Sequence, residues 1–145
     1  MKLFLDTSVL IPALVQKHDF HAPSFALLER VQAGTDEGFV SAHSLAEMYS
    51  VLTALPSPFR HAPEQALLSI EENVVKYFKI SALTGNDYTV LIREAALAGV
   101  RGGTIYDAVL LKSALKAGVD RIYTFNLKHF QNIAPKNMGS HIFSP

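Results

Sequence analysis

Residues 3–11 read "LFLDTSVLI", Leu3 through Ile11, and the fold turns on how Asp6 is understood. Leu3-Phe4-Leu5 has the make-up of a buried strand, and Val9-Leu10-Ile11 that of the start of a core-facing helix. A carboxylate buried between them without a partner is costly, because the apolar interior replaces none of its hydration. Asp6 therefore either ends the strand in solvent or is used by other parts of the chain.

Working outward from this stretch, short β-rich runs recur at Lys2–Leu5, Phe39–Ser41, Tyr77–Ser81, Arg121–Phe125 and, more weakly, His141–Phe143. Helical patterns lie between them. Phe25, Leu28 and Val31 share one face, as do Leu45, Met48 and Leu52. Pro63 suits the first turn of a helix carrying Ala66, Leu67 and Ile70. Asp87–Leu97 and Ile105–Ala117 complete the set, and Gly118 suits the position just past the last helix end. Strands alternating with helices predict an α/β protein with a mainly parallel sheet of about five strands, covered on both faces. The stretch "LPSPFRHAP" joins two helices of similar character, so residues 1–145 are expected to form a single domain.

Forty-nine per cent hydrophobic and 18% charged residues describe a chain that folds rather than a disordered one. With no cysteine there is neither a disulfide framework nor a thiolate metal site, which fits a reducing compartment. Asp6 interrupts the place where a signal peptide needs its apolar stretch, and no segment is apolar enough to span a membrane, so a cytoplasmic location is expected. The formal net charge is zero, yet it is unevenly divided: residues 1–92 hold 6 Lys/Arg and 10 Asp/Glu, residues 93–145 hold 7 and 3. That division leaves room for a basic face on a neutral protein, or for solvated helix faces that happen to divide this way.

In open α/β sheets ligands bind beyond the carboxyl ends of the strands. Four polar residues map to strand-to-helix junctions: Asp6 after the first strand, Glu47 in "SAHSLAEMYSVL", Asp107 in "RGGTIYDAVLLKSAL" and Asn126 in "IYTFNLKHF". Each has a local explanation. Ser44-x-x-Glu47 and Thr104-x-x-Asp107 match the capping box, Asp6-Thr7-Ser8 matches a helix N-cap, and Asn126 suits a turn. Capping accounts for each acid singly but not for three on one edge of one sheet. Gathered carboxylates with a nearby amide are hard oxygen donors, the chemistry of Mg²⁺ or Mn²⁺.

Taken together, "LFLDTSVLI", "SAHSLAEMYSVL" and "GGTIYDAVLLKSALKAGVDRIYTFNLKHF" resemble the PIN-domain family, particularly its VapC-type toxins. The resemblance implies a three-layer α/β/α fold and a Mg²⁺- or Mn²⁺-dependent endoribonuclease. Asp6, Glu47 and Asp107 match the three acidic positions, and Asn126 the more variable fourth, where it brings one charge fewer than an aspartate. Ser8 and Thr104 match small hydroxyl positions beside the acids. The resemblance further implies an RNA substrate, a homodimer and a small antitoxin protein that brings a basic side chain to the acids. A stand-alone processing nuclease and a non-catalytic RNA- or protein-binding module are the competing readings.

On this reading Asp6 and Asp107 are the closest metal ligands, Glu47 acts directly or through water, and Asn126 is a neutral ligand or orienting donor. Ser8 and Thr104 would fix carboxylate rotamers. Lys112, Lys116, Arg121 and Lys128 would line a path for phosphates, or serve only as solvent-facing charges. His18-Asp19-Phe20-His21 has a metal-like composition but reads as surface residues in a loop, and His43, His129 and His141 as exposed or core-satisfied rings. An Asp-x-Asp phosphatase is disfavoured, because Ser8 stands where its second acid belongs.

Overall fold

The computed structural model describes all residues, Met1–Pro145. In chain order the elements are β1 (Lys2–Leu5), α1 (Thr7–Leu14), α2 (His21–Gln32), β2 (Glu37–Ser41), α3 (Ala42–Ala54), α4 (Pro63–Ile70), β3 (Phe78–Ser81), α5 (Gly85–Leu97), α6 (Thr104–Ala117), β4 (Arg121–Tyr123), α7 (Leu127–Ile133) and β5 (Ile142–Phe143). A π-helical turn, Glu71–Val75, extends α4, and a 3₁₀ turn precedes β5. All five strands are parallel, in the order β3-β2-β1-β4-β5.

The three layers follow from the alternation of side chains along the strands. Leu3 and Leu5 point to one face with Val40 and Tyr123, where they meet Leu28 and Val31 of α2, Met48 and Leu52 of α3, and Ile70 of α4. Phe4 points the other way with Phe39 and Ile122, onto Leu110, Leu111 and Ala114 of α6 and Phe130 of α7. A strand buried on both faces must be apolar at every position, and β1 is fully buried from Leu3 to Leu5. Each such side chain contributes about 1.5–3 kcal/mol on leaving water. Gly38 of β2 is fixed by packing, since a Cβ there would lie 2.5 Å from Val31 and 2.7 Å from Phe78. Gly118 ends α6 in the left-handed region, as its sequence position predicts.

Four local expectations are corrected. α3 begins at Ala42 with Ser41 as its N-cap, so Glu47 lies in the second turn and the Ser44–Glu47 capping box does not form. Ser44 is instead fully buried, with its hydroxyl unpartnered. α6 begins at Thr104 behind Gly103, with no side-chain cap, so Thr104 and Asp107 form no capping box either. The box that does form is Thr84 with Asp87 at the start of α5, each side chain bonding the other's backbone N–H. The fourth strand stops at Tyr123 rather than Phe125, because Thr124–Asn126 turn out of the sheet into α7, a helix that the apolar pattern did not reveal. His21 is the first residue of α2, not part of a loop.

Candidate active site

The chain leaves β1 toward β2 and β3 on one side, and later returns to place β4 and β5 on the other. The order therefore reverses between β1 and β4, and a crevice opens at their carboxyl ends, where the two following segments part. Asp6 follows β1 there and Thr124-Phe125-Asn126 follow β4. The backbone N–H of Asp6 donates to Tyr123 at 3.0 Å, so the two strand ends are locked in register. A cleft of about 290 Å³ at this point is lined by Asp6, Ser8, Glu47, Asp107 and Asn126. Three acids and one amide from α3, α6 and the ends of β1 and β4 thus share one cavity, although up to 120 residues separate them in sequence.

Asp6 is the N-cap of α1 by backbone geometry, but its carboxylate makes no cap bond. Its Oδ2 accepts from the Ser8 hydroxyl at 2.6 Å and from the Thr124 hydroxyl at 2.7 Å. Both hydroxyl oxygens are in turn held from behind. The Phe125 N–H donates to Ser8 Oγ at 3.0 Å and the Asn126 N–H to Thr124 Oγ1 at 2.9 Å. Two relays from the β4–α7 turn converge on one carboxylate oxygen, which satisfies a group that is only 2% exposed. Its other oxygen, Oδ1, has no side-chain partner. Glu47 is positioned similarly, with Oε2 accepting from the Thr7 hydroxyl at 2.9 Å. Asp107 faces His129 of α7, Oδ2 to Nδ1, at 3.5 Å.

Burial drives the Asp6 carboxyl above the usual carboxylate range; the bonds from Ser8 and Thr124 pull it down, and the charge of Glu47 pushes it up again. Asp107 is raised too, first by burial and then by the negative charge of Asp6, with His129 opposing both. The acids thus feel one another's negative charge. The donors present are hard oxygens, which suit Mg²⁺ or Mn²⁺. No three His, Asp or Glu side chains are gathered around one point as an all-protein cage would require. Mg²⁺ asks for less: it keeps several waters and takes one or two carboxylates directly. The donor set fits such an ion.

Of the other residues singled out in the sequence, Thr104 opens α6 but lines a different cleft of about 630 Å³ between α5, α6 and α7. Lys112 lines that cleft also, 3.7 Å from Glu94, and Lys116 pairs with Asp87 at 2.6 Å. Arg121 lies over the ring of Phe143, 4.9 Å from its centre. Lys128 is exposed at the start of α7, beside His129. Thr7 and Thr124 were missed as partners of the acids. Each sits within two residues of a candidate ligand, but a hydroxyl next to an acid is too common a pairing to be selected by itself.

A parallel sheet with helices on both faces and a carboxylate-lined cleft at its switch point defines a three-layer α/β protein. The chain belongs to the PIN domain family, whose model matches residues 3–135. It is 37% identical over 112 residues to ribonuclease VapC27 of Mycobacterium tuberculosis, covering 77% of this chain and 76% of the relative. Ribonuclease VapC40 of the same species is 34% identical over 113 residues, covering 78% of each. Among solved structures the fold is similar to that of VapC20 of M. tuberculosis, a sarcin–ricin loop cleaving toxin (TM-score 0.66, 16% identity, 88% of this chain and 92% of that one). It is also similar to VapBC2 of Rickettsia felis bound to a promoter DNA fragment (TM-score 0.62, 20% identity, 92% and 93%). No helix is long and apolar enough to cross a membrane.

Proposed function

We propose that this chain is a Mg²⁺- or Mn²⁺-dependent endoribonuclease, the toxin of a toxin–antitoxin pair, acting in the cytoplasm as one domain spanning residues 1–145. The observation that carries the reading is the convergence of Asp6, Glu47 and Asp107 on a single cleft in a PIN-domain chain. Its relatives named as ribonucleases support the same chemistry.

Asp6 and Asp107 would hold the ion, with Glu47 joining directly or through water and Asn126 as a neutral donor. Bound there, a divalent ion supplies acidification of an attacking water and withdrawal of charge from a phosphate oxygen. The chain's own task is placement. Ser8 and Thr124 hold the Asp6 carboxylate in one rotamer, and Thr7 holds Glu47. His129 places a ring nitrogen beside Asp107, suited to steering a phosphodiester into the cleft, and Lys128, exposed on the same helix, would add positive charge to that end of the molecule. Lys112 and Lys116 are left to the α5–α6 side and, if they meet RNA, do so away from the scissile bond. Thr104 acts at most by starting the helix that carries Asp107.

The partners proposed are a second copy of the chain and a small inhibitor protein whose basic side chain reaches the three acids. Incubation of the purified chain with a panel of single-stranded and structured RNAs tests the activity. Cleavage should require Mg²⁺ or Mn²⁺, stop in chelator and return with metal, and Asp107→Asn should lower it by at least about a hundredfold. Full activity of folded Asp107→Asn, or cleavage that persists in chelator, overturns the reading.

A further inference from the structure

The acids account for only part of the cleft's lining; three aromatic rings line it as well. Phe20, Phe125 and Tyr106 face the same cavity as Asp6 and Asp107. The rings stand in two stacked pairs from different elements. Phe20, from the α1–α2 connection, stacks on Phe125 of the β4–α7 turn, centres 4.6 Å apart and planes 27° apart. Tyr106 of α6 stacks on His43 of α3 at 5.4 Å with planes 6° apart. In each pair the inner ring is half-buried and the outer one is open, Phe20 at 50% and Tyr106 at 57% exposure.

Open aromatic rings are expensive to leave in water, and these are held in place. The Phe20 N–H donates to the His18 ring at 3.1 Å, and the next residue, His21, donates from Nδ1 to the Pro12 carbonyl at 2.8 Å. Tyr106 directly precedes Asp107 on the rigid first turn of α6 and rests flat on His43. Each outer ring is thus backed by a partner ring, with His18 a second, tilted neighbour of Phe20 at 5.8 Å, and keeps about half of its surface open to solvent, which leaves room for one more flat group. A nucleobase is such a group, and every base has a π-face, so stacking holds unpaired bases with little regard to sequence.

We propose that Tyr106 and Phe20 are stacking platforms that seat unpaired bases flanking the scissile phosphate. The proposal rests on the ribonuclease reading of the cleft. It assigns substrate positioning to the two rings, while the acids keep the chemistry.

The test measures binding of the full chain, by fluorescence anisotropy with Ca²⁺ in place of Mg²⁺, to a labelled dodecamer of oligoadenylate and to the same dodecamer made abasic. Wild type should prefer the base-bearing strand by about tenfold or more. Tyr106→Leu and Phe20→Leu should each shrink that preference severalfold, with melting confirming that they fold, and Tyr106→Phe should retain it. A wild-type ratio near one, or leucine variants that keep the full ratio, overturns the proposal. If cleavage of RNA in Mg²⁺ survives that outcome, the ribonuclease reading stands and only the platforms fall. If wild type neither binds nor cleaves RNA, both fall. Leucine variants with an intact base ratio but weakened hold on a co-purified inhibitor protein would also overturn it, in favour of a protein-docking rim.

Discussion

Thr124 donates its hydroxyl to Oδ2 of Asp6 at 2.7 Å, across 118 positions of chain. The bond spans the two strand ends at which the sheet order reverses, and it ties the fold to the site: β1 and β4 must be paired before Asp6 has its partner. Thr124→Val keeps the shape but leaves Asp6 Oδ2 with one donor fewer and the Asn126 N–H with no acceptor. Loss of about 1–3 kcal/mol of stability is expected, together with weaker Mg²⁺ binding as the carboxylate rotamer loosens. Thr124→Ser should recover most of both. Urea unfolding and Mg²⁺ titration of the two variants check this, and wild-type behaviour of Thr124→Val would mean that Ser8 alone holds the carboxylate.

The raised carboxyls of Asp6 and Asp107 give the metal-free protein a characteristic pH response. A raised folded-state pKa means that the folded chain holds protons more tightly than the unfolded one. The stability this contributes is present in full below the unfolded value of about 3.9 and is lost as pH rises through the folded one. Melting in chelator should therefore show a decline across that window, and Mg²⁺ at pH 7.5 should restore stability by binding only the native cluster. Asp6→Asn keeps an oxygen for Ser8 and Thr124 but removes the charge. It should be at least as stable as wild type in chelator and gain less from Mg²⁺. Strong destabilisation in chelator with an undiminished Mg²⁺ response would identify Asp6 as a purely structural residue.

Asn126 lines the cleft with an exposed side chain, while its backbone N–H supports Thr124. Asn126→Asp adds a fourth negative charge without disturbing that bond. Mg²⁺ affinity should rise by about fivefold or more if the side chain reaches the ion, and stability in chelator should fall through added repulsion. Calorimetric titration checks the first and thermal melting the second. An unchanged affinity would reduce Asn126 to a turn residue.

Gly38 tests the fold without touching the site. Alanine there would place a methyl against Val31 and Phe78 in a packed layer. Gly38→Ala is expected to cost about 1–3 kcal/mol by overpacking, read as a lower unfolding midpoint. Affinity for Mg²⁺ should not change in the folded variant.

The order of elements was legible in the chain because burial is written locally. β1 is apolar at three successive positions since both its faces are covered, and the helical faces of α2, α3 and α4 repeat at their own period. The end of β1 at Asp6 and the placement of Asp107 in the first turn of α6 followed from the same patterns. Where local signals competed, the sequence misled. Ser44 and Thr104 each stand three residues before an acid, yet α3 starts early enough to bury Ser44, and Thr104 turns toward another cleft. A capping motif describes what a helix end can do, and tertiary packing chooses where the helix begins. What only the tertiary structure decided is how the acids are held. Ser8, two residues from Asp6, was legible as its partner, but the second hydroxyl comes from Thr124, 118 positions away, and Glu47 is held by Thr7, 40 positions before it. Bonds between distant segments leave no periodic trace, because they depend on which strands become neighbours and not on the residues beside them in sequence.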